Sequence, residues 1–143
     1  VFLSFVLLLL CTTVHCTMLR WASNRLGRND LSVLPALLLA MTVAMTAHAI
    51  DALIYAGGFW AAIHWLAIGD LKPPKPADPA VGWMDIYYFS LVNLTTLGRG
   101  DLVPTGHLRF MAGMEAAQGF LIITASGSYI FQVMAGKVPF RDS

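Results

Sequence analysis

The sequence predicts an all-α membrane protein with three transmembrane helices plus a re-entrant helix and loop, and three observations predict it. Its 143 residues are 57% hydrophobic and only 12% charged, about half the charge of a soluble domain. Apolar stretches long enough to cross a hydrocarbon core of about 30 Å recur along the chain. Between two of them lies residues 94–104, LTTLGRGDLVP, with glycines at alternate positions. The formal net charge of +1 gives no basic surface for nucleic acid. Cys11 and Cys16 match no metal or redox spacing and read as packing residues.

Taken in order, residues 1–19 form a first transmembrane helix. A signal peptide would need a basic start, and no charge precedes Arg20. Residues 20–30 read as a short polar linker whose Arg20, Arg25 and Arg28 make it cytoplasmic, which places the N-terminus outside. Residues 31–68 read as a long outer transmembrane helix of about 57 Å at 1.5 Å per residue, protruding at the cytoplasmic interface and broken at Gly57-Gly58. Trp60 and Trp65 mark its outer aromatic belt. Ala36, Ala40, Ala44, Ala52 and Ala56, with His48 in the same row, form a smooth stripe against which another helix can pack.

Residues 69–82 hold four of the seven prolines and read as an extracellular turret. Residues 83–104 supply a pore helix and the loop, residues 105–136 an inner transmembrane helix from 108 to 134, and residues 137–143 a cytoplasmic tail. Irregular backbone at membrane depth is tolerated where it is buried in protein or lines water. Gly98 and Gly100 allow a strand-like form with φ > 0, which turns a run of carbonyls toward one axis. A desolvated cation needs several oxygen dipoles, and one strand cannot encircle an ion. More than one chain is required.

The run YYFSLVNLTTLGRGDLVP resembles the pore helix and selectivity filter of the tetrameric potassium-channel superfamily, whose usual filter reads TTVGYGD. The matching residues are Thr95, Thr96, Leu97, Gly98, Arg99, Gly100 and Asp101. The run RFMAGMEAAQGFLI is similar to the inner helix of small bacterial channels of this type. This resemblance implies a homotetramer, three further copies joining each chain, in a bacterial plasma membrane. It implies K+ held by the backbone carbonyls of Thr96, Leu97, Gly98 and Arg99, and a gating glycine at Gly119. Leu97 stands for valine and Arg99 for tyrosine. An unpaired guanidinium about 8 Å from an ion costs it roughly 2 kcal/mol at an effective dielectric near 20. Arg99 is therefore expected to pair with Asp101, or else with Glu115.

Phe120, Thr124 and Ser128 share a helical face by four-residue spacing and are expected to line a central cavity. Glu115, a carboxylate at membrane depth, is expected to brace the pore helix behind the filter, with Asp101 as a second support. His48 and Asp51 are expected to form a polar clasp between helices, with Tyr55 on the same face. His64 lies about 24 Å along the helix from His48. His15 should lie nearer the cytoplasmic side, so neither completes a metal site. No nucleotide loop, nucleophile–base pair or zinc signature occurs. The expectation is a non-enzyme without cofactor or small-molecule substrate, bounded by membrane lipids and permeated by K+, or by Na+ as well if selectivity is weak. Two other readings stand beside it. One is a channel-shaped subunit that is silent or needs a partner. The other is a membrane metal-binding protein or enzyme built on His48, Asp51 and Glu115.

Overall fold

A computed structural model describes residues 1–28, 31–73, 75, 80–98 and 101–140. Four helices follow one another: α1 (Phe2–Arg28), α2 (Val33–His64), α3 (Trp83–Leu94) and α4 (Leu108–Met134). Two short strands, β1 (Leu71–Lys72) and β2 (Val103–Pro104), pair antiparallel with Leu71 opposite Pro104. α1 and α2 are long and apolar enough to cross a membrane, with mean hydropathies of 2.1 and 1.9 over their best windows. α4 has 27 residues, enough for the crossing by length, but it is less apolar because Glu115, Gln118 and Ser126 occupy its buried stripe.

The helices form because each carries a buried row at helical spacing. On α1 this row is Ser4, Leu7, Cys11, His15, Leu19, Ala22 and Leu26, steps of three or four that place one residue per turn on one face. The row corrects the expectation of a polar linker over 20–30. α1 continues nine residues past Leu19, to Arg28, because Leu19, Ala22 and Leu26 still have a partner surface. That surface is the alanine stripe of α2: Ala40 and Ala44 pack there with Val43, and Tyr129 and Val133 of α4 close the cluster.

α2 is likewise unbroken at Gly57-Gly58. The second glycine does a packing job instead, since Leu7 of α1 sits where a Gly58 side chain would stand. A second cluster, around Cys11, Tyr55, Phe59, Ile86, Leu94 and Leu108, joins α1, α2, α3 and α4 at the other end. α2 thus touches every other helix, as α4 also does.

The ends of α2 and α4 are tied by the strand pair and its flanks. Thr105 N–H donates to the Asp70 carbonyl at 2.8 Å and His107 N–H to the Ile68 carbonyl at 3.0 Å. Gly106 adopts φ +55°, and a Cβ there would press on the Ile68 carbonyl. Only a residue without a side chain satisfies both demands. The expected turret over 69–82 is therefore partly a strand, β1, fastened to the segment that leads out of the loop.

Candidate ion pathway and its polar supports

α3 starts at Gly82, whose N–H donates to the Asp85 carboxylate at 2.8 Å, and this carboxylate sits in the first turn where the helix dipole favours negative charge. The helix ends where the chain reverses handedness. Thr96 has φ +59° and Gly98 φ +55°. For a β-branched residue such as Thr96 this conformation is strained by about 1–3 kcal/mol, and such strain collects at functional sites. The positive φ expected at Gly98 is present, and Thr96 adds one that the glycine pattern did not signal. The segment is not strand-like, however. The amides of Leu97 and Gly98 both turn back to the Val92 carbonyl, at 3.0 and 3.5 Å, and curl the chain around the end of α3. Thr95, Thr96, Leu97 and Gly98 are all exposed at this tip, as is Asp101. Arg99 and Gly100 lie outside the described residues, and the expected pairing of Arg99 lies there with them.

Behind the tip, α3 is locked to its neighbours by three polar side chains. Asn93 Nδ2 donates to the Ala112 carbonyl at 2.8 Å and to Glu115 Oε2 at 2.6 Å. Ser90 Oγ contacts both the Ala52 carbonyl, at 2.7 Å, and Glu115 Oε1. A hydroxyl has one hydrogen to give, and a carbonyl only accepts. The hydrogen count closes when Ser90 donates to Ala52 and Glu115 carries a proton that it donates to Ser90. Glu115 of α4 is therefore engaged by α3 through both its oxygens, and Ser90 extends the contact to α2. Ser90 and Asn93, three apart on α3, are site residues that the sequence reading did not single out. Their spacing was the available signal.

Gly119 lies on the buried stripe of α4, directly against the Leu94 carbonyl at the end of α3, with no space for a Cβ. Its position is set by close packing. Phe120, Thr124 and Ser128 lie on another side of α4, exposed in the single chain. α4 buries one stripe, Leu108, Met111, Ala112, Glu115, Gln118, Gly119, Ile122, Ser126, Tyr129 and Val133, and leaves most of its circumference bare. A small cavity of about 30 Å³, room for about one water, lies behind Gly98 among Tyr88, Asn93, Asp101 and Leu102.

The clasp expected between His48 and Asp51 is rearranged. Asp51 Oδ2 pairs with His15 Nδ1 at 2.7 Å, and His15 Nε2 meets Ser126 Oγ at 2.7 Å. His48 Nδ1 instead donates to Ala44 of its own helix at 2.6 Å, and its ring stands edge-on to His15 with centroids 4.9 Å apart. His15 thus stands level with Asp51 and His48 of α2, on a helix that runs nine residues past Leu19. Tyr55 donates to Gln118 Oε1 at 2.6 Å, and Gln118 Nε2 donates to Thr12 Oγ1 and the Leu8 carbonyl, each at 3.0 Å. Among the described residues, no three His, Cys, Asp or Glu side chains are grouped to hold a metal ion. Glu115 belongs to the α3 lock, apart from the His15–Asp51 pair.

Comparison with known proteins yields two findings. A family described as ion channel matches residues 2–136. Over 77 residues the chain is 38% identical to an uncharacterized membrane protein, YdjJ, of Bacillus subtilis (strain 168). That alignment covers 53% of this chain and 22% of the relative, so the chain spans less than a quarter of that protein's length. No solved structure matches the chain.

Proposed function

The chain belongs to the ion-channel family, and from that premise we propose that four copies assemble into a cation channel with the loop after α3 at its axis. The observation that carries this reading is the strained, exposed tip Thr95–Gly98, held by a pore helix locked to α4 through Glu115, Ser90 and Asn93. The bare sides of α4 support the need for neighbouring chains, since exposed polar residues such as Thr124 and Ser128 at membrane depth want water or protein beside them.

In the assembly the tip unfolds from its curl so that the carbonyls of Thr96, Leu97, Gly98 and Arg99 surround K+. The Leu97 and Gly98 amide bonds to Val92 are the contacts exchanged for ion coordination and for packing against the next chain. Arg99 pairs with Asp101 so that its charge is withdrawn from the ion path. Leu97 and Arg99 replace the residues that usually brace such a filter, so Na+ competes with K+. α4 is the third span beside α1 and α2. The last turn of α1, with Arg25 and Arg28, faces the cytoplasm of a bacterial plasma membrane.

The test is reconstitution of purified protein in liposomes, with flux measured under potassium, sodium and chloride gradients beside an Arg99→Tyr variant. Cation flux in the native protein, with sharper preference for potassium in the variant, is expected. Flux in the variant alone makes the native chain a silent or partner-dependent subunit. Chloride flux, or none in either protein, overturns the reading.

A further inference from the structure

Ser126, His15 and Asp51 form a continuous hydrogen-bonded row through α4, α1 and α2, and it has no part in the ion path proposed above. All three side chains are buried, with relative exposures of 2%, 1% and 0%. The partners dictate some of the protons. A carboxylate only accepts, so His15 Nδ1 carries hydrogen toward Asp51. The Ala44 carbonyl only accepts, so His48 Nδ1 carries hydrogen toward it. His15 Nε2 is the open position. With His15 neutral, Nε2 accepts from the Ser126 hydroxyl. With His15 protonated, Nε2–H donates to Ser126 Oγ, and the serine hydroxyl turns to a carbonyl one helical turn back.

Charge decides which state the surroundings favour. Asp51 Oδ1 and His48 Nε2 have no hydrogen-bond partner, so with both histidines neutral the cluster holds one buried negative charge with half its carboxylate unmatched. An uncompensated charge at membrane depth is costly, and a matched pair is much less so. His15 touches Asp51 and His48 of α2, Cys11 and Tyr55 stand near Asp51, and α4 presents Ser126 to it. None brings a fixed positive charge. One added proton makes the cluster neutral.

We propose that the His15–Asp51 pair is a proton-binding site within the membrane, and that its occupancy sets how tightly the inner helix α4 is held to α1 through Ser126. The bond from protonated His15 is charge-assisted and stronger than the one neutral His15 accepts. Acid therefore tightens the α1–α4 contact and alkali loosens it. The link has leverage because Ser126 sits seven residues past Gly119, where α4 meets the end of α3, so a shift at Ser126 moves the segment leading away from the tip.

The test uses the full chain in phosphatidylcholine–phosphatidylglycerol vesicles and does not rely on ion flux. The ring nitrogens of His15 are followed by 15N NMR from about pH 4 to 9, with the exposed His64 and His107 replaced by glutamine to clear the spectrum. Spin labels on Cys16 and on Ala125→Cys, both exposed positions, report the α1–α4 distance. Expected are proton uptake at His15 and a narrower, shorter distance distribution at acid pH, with one shared midpoint. In Ser126→Ala, His15 still takes up the proton but the distance no longer follows pH. In Asp51→Asn, His15 no longer takes it up in that range. A His15 that keeps one state throughout, or a distance that follows pH equally in Ser126→Ala, overturns the proposal. A vesicle that passes no ions sinks the channel reading and leaves this one standing.

Discussion

Gly119 of α4 stands directly beneath the Leu94 carbonyl of α3, so close that no Cβ fits between them. The obstacle is backbone, which cannot rotate aside as a side chain can. The last turn of α3 is therefore seated on α4 at Gly119, beside the Asn93 bonds to Ala112 and Glu115.

Gly119→Ala is expected to lift the end of α3 and to cost about 1–3 kcal/mol, the usual range for overpacking a close contact. Gly113 and Gly127 meet nothing within 4 Å on the same helix, so alanine at either should leave the subunit unaffected. Thermal unfolding of the three variants in detergent provides the comparison. Equal stability of all three would show that α3 does not rest on Gly119. A loss of assembly in Gly113→Ala or Gly127→Ala, with the subunit still folded, would mark those glycines as contacts between chains.

Glu115 is expected to tolerate glutamine better than alanine. A glutamine amide can donate to Ser90 and accept from Asn93, reproducing the proton arrangement deduced for Glu115. Alanine leaves Ser90 and Asn93 without their shared partner. Polar contacts inside membranes average about 0.6 kcal/mol each, so losing these two should cost roughly 1 kcal/mol. The same unfolding measurement separates the two variants. Stability lost equally in Glu115→Gln and Glu115→Ala would mean that a charged carboxylate, not a hydrogen-bond relay, holds α3.

The parts of this site legible in the sequence were those fixed by local chemistry. α3 and α4 have the expected limits, Trp83–Leu94 and Leu108–Met134, because turn residues flank each of them. Glu115 was expected behind the tip because a carboxylate on an apolar helix needs a partner, and the structure supplies Ser90 and Asn93. What could not be read was the relative level of two helices. The three arginines after Leu19 looked like a linker, yet Leu19, Ala22 and Leu26 kept the helical period running beneath them. That longer helix sets His15 beside Asp51, a pairing across helices that sequence neighbours such as His48 do not signal. The curl at Leu97 and Gly98 was equally hidden, since both amides choose a partner, the Val92 carbonyl, that the glycine pattern does not name.

The His15–Asp51 contact at 2.7 Å joins α1 to α2, beside the longer Cys11 Sγ contact to the Asp51 carbonyl at 3.7 Å. Replacing His15 by alanine strands a buried carboxylate, and breaking a buried pair from one side typically costs about 3–5 kcal/mol. The double variant His15→Ala with Asp51→Ala should recover part of that loss, because it removes the stranded charge as well. Denaturation of the two single variants and the double one closes the cycle. Additive losses would deny any direct coupling between the residues.

Thr124 and Ser128 test the proposed pore face against the packing stripe. Both are exposed in the single chain, whereas Ser126 and Tyr129, on the same two turns of α4, are buried at 2% each against α1 and α2. A tetramer can cover Thr124 and Ser128 with protein, leave them to lipid, or place them around water. Only water admits a charged, membrane-impermeant thiol reagent. Thr124→Cys and Ser128→Cys, with Cys16 replaced by serine, are expected to react readily, and Ser126→Cys hardly at all. Cations that compete for the filter should slow the reaction from the outer side but not from the inner side. Rapid reaction at Ser126→Cys with silence at Thr124→Cys and Ser128→Cys would rotate α4 by half a turn relative to the proposed axis, and the cavity would have to be sought on the face now assigned to α1.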